Sequence, residues 1–330
     1  NDVYKSLFEV YEQEGFQLHL AADSVMTLLR AQFTPGEAEL ALKVGLEGGK
    51  LDMLHQKTGI KKNKLKNTLT TMANKGTVWV SSDKEDPEYK TMGTAGPGLV
   101  ETGGWGNVKF PNSVAIHKAL HKFQVEFSTK CLPALGAPVA RVWTTPAALP
   151  EDAQPEENVA EMIRRAGRWG VSTCSCRLPH WIAEPGDHCE HLLETCIFLA
   201  DMVRWGVEYN MCREITCDEA IALLTKCNED GLVHSHDPNE FICNCCPDCC
   251  VLHVGIVREG ANLLEPSEFF PQIDEETCTA CSICADRCPV DAIEVDDFAS
   301  VDLAKCLGCG VCFPTCPTES IRFERRPVAE

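Results

Sequence analysis

The feature that most constrains this chain of 330 residues lies near its end. Cys278, Cys281, Cys284, Cys288 and Pro289 recur 28 residues later as Cys306, Cys309, Cys312, Cys316 and Pro317, and Ile293 recurs as Ile321. Two-residue gaps let three successive cysteines point into one concavity, and a backbone that wraps in this way suits a cubane of four irons held by thiolates. Isolated Cys-x2-Cys pairs also suit zinc. A triple run with a trailing Cys-Pro, present twice, argues for 4Fe–4S clusters instead. The fourth cysteine of such a run ligates the other cluster. Cys278, Cys281, Cys284 and Cys316 are therefore expected to hold one cluster, and Cys306, Cys309, Cys312 and Cys288 the other.

The rest of the chain divides by charge. Residues 1–130 carry 16 Lys and Arg against 15 Asp and Glu, and no cysteine. Residues 131–330 carry 14 against 34 and all 21 cysteines. Cysteine at this density in a long chain without a visible secretion leader points to metal binding and a reducing, cytoplasmic compartment. No apolar run approaches the length of a membrane span.

In the first part, Thr34-Pro35-Gly36-Glu37 opens a helix with Leu40, Leu42, Val44 and Leu46 as apolar positions, ending at Gly48-Gly49. A short helix is expected over 51–57 and a third over 62–74, with Leu65, Leu69 and Met72 at helical spacing. Thr77–Val80 reads as a strand. This is the order of a winged helix-turn-helix. Gly93, Gly96 and Gly98 lack the preceding strand of a phosphate loop and read as a plain loop. Residues 133–158 read as a Pro/Ala-rich connection with one strand, Ala140–Trp143. Residues 190–209 read as a helix, with Leu192, Cys196, Leu199 and Val203 on one stripe. Thr216 and Glu219 form a capping box that opens another helix, stopping near Gly231.

Of the thirteen cysteines before the repeat, Cys131, Cys212, Cys217 and Cys227 are isolated and read as buried thiols. The other nine, Cys174, Cys176, Cys189, Cys196, Cys243, Cys245, Cys246, Cys249 and Cys250, are enough for one or two further 4Fe–4S clusters. A zinc site with His180, His188 or His191 is the competing assignment. The lysines at 61, 62, 64, 66 and 75 decorate the third helix, which lacks arginine for guanine. An acidic body also opposes DNA approach, so DNA is an unfavoured partner.

Residues 274–326 resemble a bacterial-type ferredoxin with two 4Fe–4S clusters. Further motifs extend the likeness: Phe33-Thr34-Pro35-x-Glu37-Ala38-Glu39-Leu40, Cys174-x-Cys176-Arg177, Cys189 with Glu194-x-Cys196, Arg213-Glu214-Ile215, Gly231-Leu232-Val233-His234, and Ile242-Cys243-Asn244-Cys245-Cys246 with Cys249-Cys250. Together they resemble the multi-cluster ferredoxin-like iron–sulfur proteins of anaerobes that begin with a winged helix. The resemblance implies electron transfer and names no substrate. The expected architecture is a multidomain α+β chain. It comprises a winged helix-turn-helix domain (1–125), a linker (126–170), a helical Cys-rich iron–sulfur domain (171–260) and a two-cluster ferredoxin domain (261–330). The expected role is a relay subunit of an anaerobic oxidoreductase complex, with a flavin- or metal-containing redox protein as partner. No catalytic triad, Walker loop or dinucleotide fingerprint is present, so stand-alone catalysis is less expected than electron transfer. The rival roles are a redox-sensing DNA-binding regulator and an enzyme with a site-differentiated cluster.

Overall fold

A computed structural model of the chain describes residues 2–94, 98–105, 112–236 and 240–327. Gly96 and Pro97 of the glycine-rich loop lie outside the described residues. The chain is a multidomain α+β protein that divides into two compact units. The first comprises residues 1–135, 172–189 and 201–214; the second comprises 136–171, 190–200 and 215–330.

In the first unit, Thr34 caps the helix Pro35–Val44. Its hydroxyl accepts from the Glu37 amide, and the Glu37 carboxylate accepts from the Thr34 amide. The helix stops at Val44, short of the expected Gly48-Gly49, because Gly45 takes a φ of 74° that a helix cannot continue. Helices Leu51–Thr58 and Lys62–Asn74 follow. Leu54, Leu65, Leu69 and Met72 are buried and fix which faces of these helices turn inward. Strands Gly49–Lys50, Val78–Val80 and Glu88–Thr91 form an antiparallel sheet with the last of them central. Lys75 is folded back onto Glu37 at 2.7 Å, both side chains only 10% exposed. Helix Ser113–Glu126 presents Ile116, Leu120 and Phe123 to the core.

The second unit is built on strands. A seven-stranded sheet has the order 264–265, 140–143, 233–235, 241–245, 194–199, 169–173, 213–215. Helices Val159–Arg165 and Cys217–Glu229 cover one face, and their Val159, Ile163, Ala220 and Leu224 pack with Trp143, Ile197, Leu199 and Ile242. Both bonds of the Thr216–Glu219 capping box are present.

Three expectations need correction. Residues 190–209 are not one helix: Glu194–Leu199 is a strand, and only Ala200–Glu208 is helical. Residues 195–199 are all buried, so the run Thr195-Cys196-Ile197-Phe198-Leu199 behaves as an interior strand, whose two apolar faces mimic a helical stripe. The stretch 171–260 is correspondingly not a helical domain, because five of the seven strands draw on it. The stretch 126–170, read as a linker, contributes strand Ala140–Trp143 to the same sheet.

The cysteine repeat forms the end of the second unit. Strand Phe269–Ile273 pairs antiparallel with Ile321–Arg325, and Ile293–Val295 pairs with Ala299–Val301. The first and last strands thus close around the two cysteine runs. The 28-residue period extends to the backbone. Ala280 and Ser282 have φ of 51° and 65°; their counterparts Gly308 and Gly310 have 69° and 81°. Asp291 and Glu319, also one period apart, have 49° and 53°. The left-handed residues turn each run so that its thiols converge. The second run uses glycine for a further reason: a Cβ at Gly308 would come within 2.1 Å of the Phe269 carbonyl oxygen.

Candidate metal centre

Each cysteine run folds into a loop whose thiols meet thiols of the other. One cavity is bordered by Cys278, Cys281, Cys284 and Cys316. A second is bordered by Cys288, Cys306, Cys309 and Cys312. Each set takes three thiols from one run and the fourth from the other. Apolar groups complete the walls: Ile273, Ile283 and Ile321 at the first, Pro271, Leu307 and Phe323 at the second.

Backbone amides are aimed at the sulfurs. Ala299 donates to Cys278 Sγ at 3.4 Å, Ala292 to Cys288 Sγ at 3.2 Å, Gly308 to Cys306 Sγ at 3.4 Å and Ser320 to Cys316 Sγ at 3.3 Å. Ala292 and Ser320 are one period apart, as are the cysteines they address. Such donors stabilise thiolate over thiol and tune a bound cluster. Burial works the other way in the second cavity. It pushes the Cys309 thiol up to about 12, with the Cys306 and Cys288 charges adding to it, and raises Cys312 and Cys306 as well. Arg326 pulls Cys306 back: its Nη2 donates to the Cys306 carbonyl at 2.6 Å and its Nε to the Ser267 carbonyl at 2.8 Å. Cys316, in the first cavity, is half-buried. Burial raises it, but donors from Thr318 and Ser320 bring it below the ordinary thiol value.

The two cavities differ in exposure. Cys281 is exposed and its three companions half-buried, whereas Cys306 and Cys312 are buried. The second run is held from outside the repeat. Thr145 donates its amide to the Cys309 carbonyl, Thr144 its hydroxyl to the Gly308 carbonyl, and Ser267 its amide to the Leu307 carbonyl. Arg287 bonds the Val311 carbonyl and also the Asn228 and Glu229 carbonyls at the end of helix Cys217–Glu229, where a cation is favoured.

The nine middle cysteines are distributed over several places. Ile197 and Ile242 are opposite in register, which puts Cys196 opposite Cys243 on the sheet face away from the hydrophobic core. Hydrogen bonds with Cys196 and with Cys245, two residues along the same face, hold Cys243 well above the ordinary thiol value. Cys189, Cys246 and Cys249 form a second group, with sulfurs within 4.8 Å of one another. Among the described residues this is the one set of three potential ligands so close together. Cys250 caps the helix Val251–Glu259. Cys174 accepts from the Arg177 amide at 3.5 Å, and Cys176 caps the helix that Arg177 begins.

Of the isolated cysteines, Cys131 and Cys227 are buried, while Cys212 and Cys217 are half-buried. Burial pushes Cys131 and Cys212 up to about 12. None of the three histidines weighed for zinc joins the compact thiol group. His180 stacks on His121, His188 on Trp181, and His191 faces Asp230 and Asp248. Two residues that the sequence reading passed over emerge here. Arg326 lies beyond the last strand, and His253 is buried in the helix after Cys250.

Sulfur is the shared donor of every group. Thiols bonded to one another and addressed by amides are the soft, thiolate-forming set that iron–sulfur clusters and zinc require. Residues 277–326 match the family described as the LdpA Fe-S cluster-binding domain. No curated protein and no solved structure matches the chain. The chain therefore carries an iron–sulfur-binding domain over its cysteine repeat, and a candidate three-thiol metal site. No helix among the described residues is long and apolar enough to cross a membrane.

Proposed function

We propose that the chain is an iron–sulfur electron-transfer protein, a relay subunit of a larger oxidoreductase complex. Two 4Fe–4S clusters would occupy the repeat, and at least one further metal centre the segment 174–250. The observation that carries this reading is the pair of four-thiol cavities within the matched domain, each completed by a cysteine of the other run. Bound clusters supply one-electron chemistry at low energetic cost. The chain's own part is to fix the sulfurs, to direct amides at them and to exclude water from the inner pair of thiols, Cys306 and Cys312. The more exposed first cavity suits exchange with a partner. Anaerobic purification with iron, sulfide and zinc counting, together with electron paramagnetic resonance of the reduced protein, tests the reading. About eight irons per chain, in two interacting low-potential clusters, is the minimum it requires. Zinc alone would overturn it.

In the first unit, the order helix 35–44, strand 49–50, helices 51–58 and 62–74, strands 78–80 and 88–91 supports a winged helix. We assign it to docking rather than to DNA. Lys61, Lys64 and Lys66 are exposed, and Lys62 pairs with Asp52 at 2.6 Å. These cations suit an acidic protein surface. Charge reversal at Lys61, Lys64 and Lys66 is expected to release a co-purifying redox protein. Sub-micromolar, sequence-specific DNA binding at physiological salt would favour the regulator.

A further inference from the structure

Cys246-Pro247-Asp248-Cys249 is a tight turn that joins strand Phe241–Cys245 to helix Val251–Glu259. Pro247, at its second position, has φ fixed in advance and needs no amide partner. The Cys250 amide donates to the Cys246 carbonyl at 3.3 Å and closes the turn. Both thiols end up inside: Cys246 is 1% exposed and Cys249 9%. Half-buried Cys189 meets them from far away in sequence, and the three sulfurs lie within 4.8 Å of one another. Packing does not account for that meeting. An S–H is a weak donor and a sulfur a weak acceptor, so three neutral thiols gain little from one another. Three thiolates would repel unless a cation lay between them.

The spacing of the sulfurs says what kind of cation. A tetrahedral zinc ion binds thiolates at about 2.3 Å, which sets its sulfurs about 3.8 Å apart. The trio therefore closes onto one ion by shifts of no more than about 1 Å between sulfurs. In a cubane each thiolate sits on a different iron, so an edge of the cluster separates any two of them. The repeat supplies the comparison. Its thiols ring two cavities, and among the described residues no three of them come within the distance that holds the trio together. The repeat has cluster-sized openings; the trio has an ion-sized one. In sequence, Cys243, Cys246 and Cys249 show the same two-residue gaps as the repeat. Cys243, however, is drawn into the strand opposite Cys196 and does not belong to the close set.

We propose that Cys189, Cys246 and Cys249 bind a single zinc ion and not an iron–sulfur cluster. The proposal rests on the reading that the segment 174–250 holds metal, and it names the kind. Each thiol gives its proton to solvent as the ion enters. Zinc has no redox chemistry. This centre then carries no electron, and it fixes the turn between strand and helix while one-electron chemistry is left to the repeat.

The test uses the full chain, purified anaerobically from a medium that holds both iron and zinc. Metals are counted, and absorption at the zinc edge reads the neighbours of the ion. The expected result is one zinc per chain besides the iron of the repeat, with sulfur neighbours at about 2.3 Å and no iron beside it. Cys249→Ser is expected to lose the zinc while both repeat signals persist in electron paramagnetic resonance, which shows that the variant folds. Cys243→Ser is expected to keep the zinc. A third cluster with no zinc would overturn the proposal and leave the metal reading standing, and this comparison needs only the wild-type chain. Zinc retained in Cys249→Ser, or lost in Cys243→Ser, would overturn the ligand set. A chain whose only metal is in the repeat would overturn both the proposal and the reading beneath it.

Discussion

Replacing Arg326 by Gln removes the cation bonded to the Cys306 carbonyl while keeping a side chain that can donate a hydrogen bond. The guanidinium lies 2.6 Å from that carbonyl oxygen. Following the residue out to its sulfur places the charge on the order of 7 Å from a metal held there. At an effective dielectric constant of 20, a unit charge at that range stabilises an added electron by about 2 kcal/mol. That is about 100 mV for a one-electron couple. Arg326 is half-buried, and solvent screening reduces the expectation to about 50–100 mV. The potential of a cluster held, as proposed, by Cys288, Cys306, Cys309 and Cys312 should fall by this amount. The residues that Arg326 bonds, Ser267 and Cys306, do not line the other cavity, so a cluster held there should move by less. Arg326→Lys, which keeps the charge, should restore most of the difference. A redox titration followed by electron paramagnetic resonance reads both clusters in one sample. An upward shift, or equal shifts in both, would show that Arg326 is a structural clasp and not an electrostatic one.

Cys288→Ala should abolish the cluster held by Cys306, Cys309 and Cys312, and Cys316→Ala the one held by Cys278, Cys281 and Cys284; spectroscopy showing the reverse would reassign the fourth ligands. Lys75→Met leaves Glu37 buried without its cation and should cost about 3–5 kcal/mol in anaerobic denaturant unfolding, whereas Lys75→Met with Glu37→Leu should recover most of the loss. His117 is buried, and burial lowers its pKa, so the unfolded chain takes up a proton at higher pH than the folded one does. Its contribution is complete above the ordinary imidazole range and is lost as pH falls through it, at no more than about 1.4 kcal/mol per pH unit. His117→Gln should flatten the fall in stability between pH 7 and 5, and an unchanged slope would assign the fall to other groups.

What could be read in advance follows the range of the interactions involved. The capping boxes at Thr34 and Thr216 and the helix Lys62–Asn74 depend on residues three or four positions apart, and these stand in the sequence directly. The strand Glu194–Leu199 depends on being sandwiched, and an apolar run buried on both faces has no period of its own to betray it. The pairing of Cys196 with Cys243 is a matter of register between strands far apart in sequence, which no local spacing encodes. Arg326 has no local signal, because its partners come from 20 and 59 residues earlier.

The exchange of fourth thiols between the two runs also sets an order of birth. As the chain emerges from the ribosome, Cys278, Cys281 and Cys284 appear first, yet their cavity gains its fourth wall only with Cys316. The cavity that starts later is finished earlier, since Cys288, Cys306, Cys309 and Cys312 are all out before Cys316 is made. The strand that clasps the repeat, Ile321–Arg325, follows last of all. For a while the nascent chain thus offers three solvent-facing thiols that nothing can yet enclose. Iron and sulfide that reached the nascent chain in that interval would find the first trio without its distant fourth member.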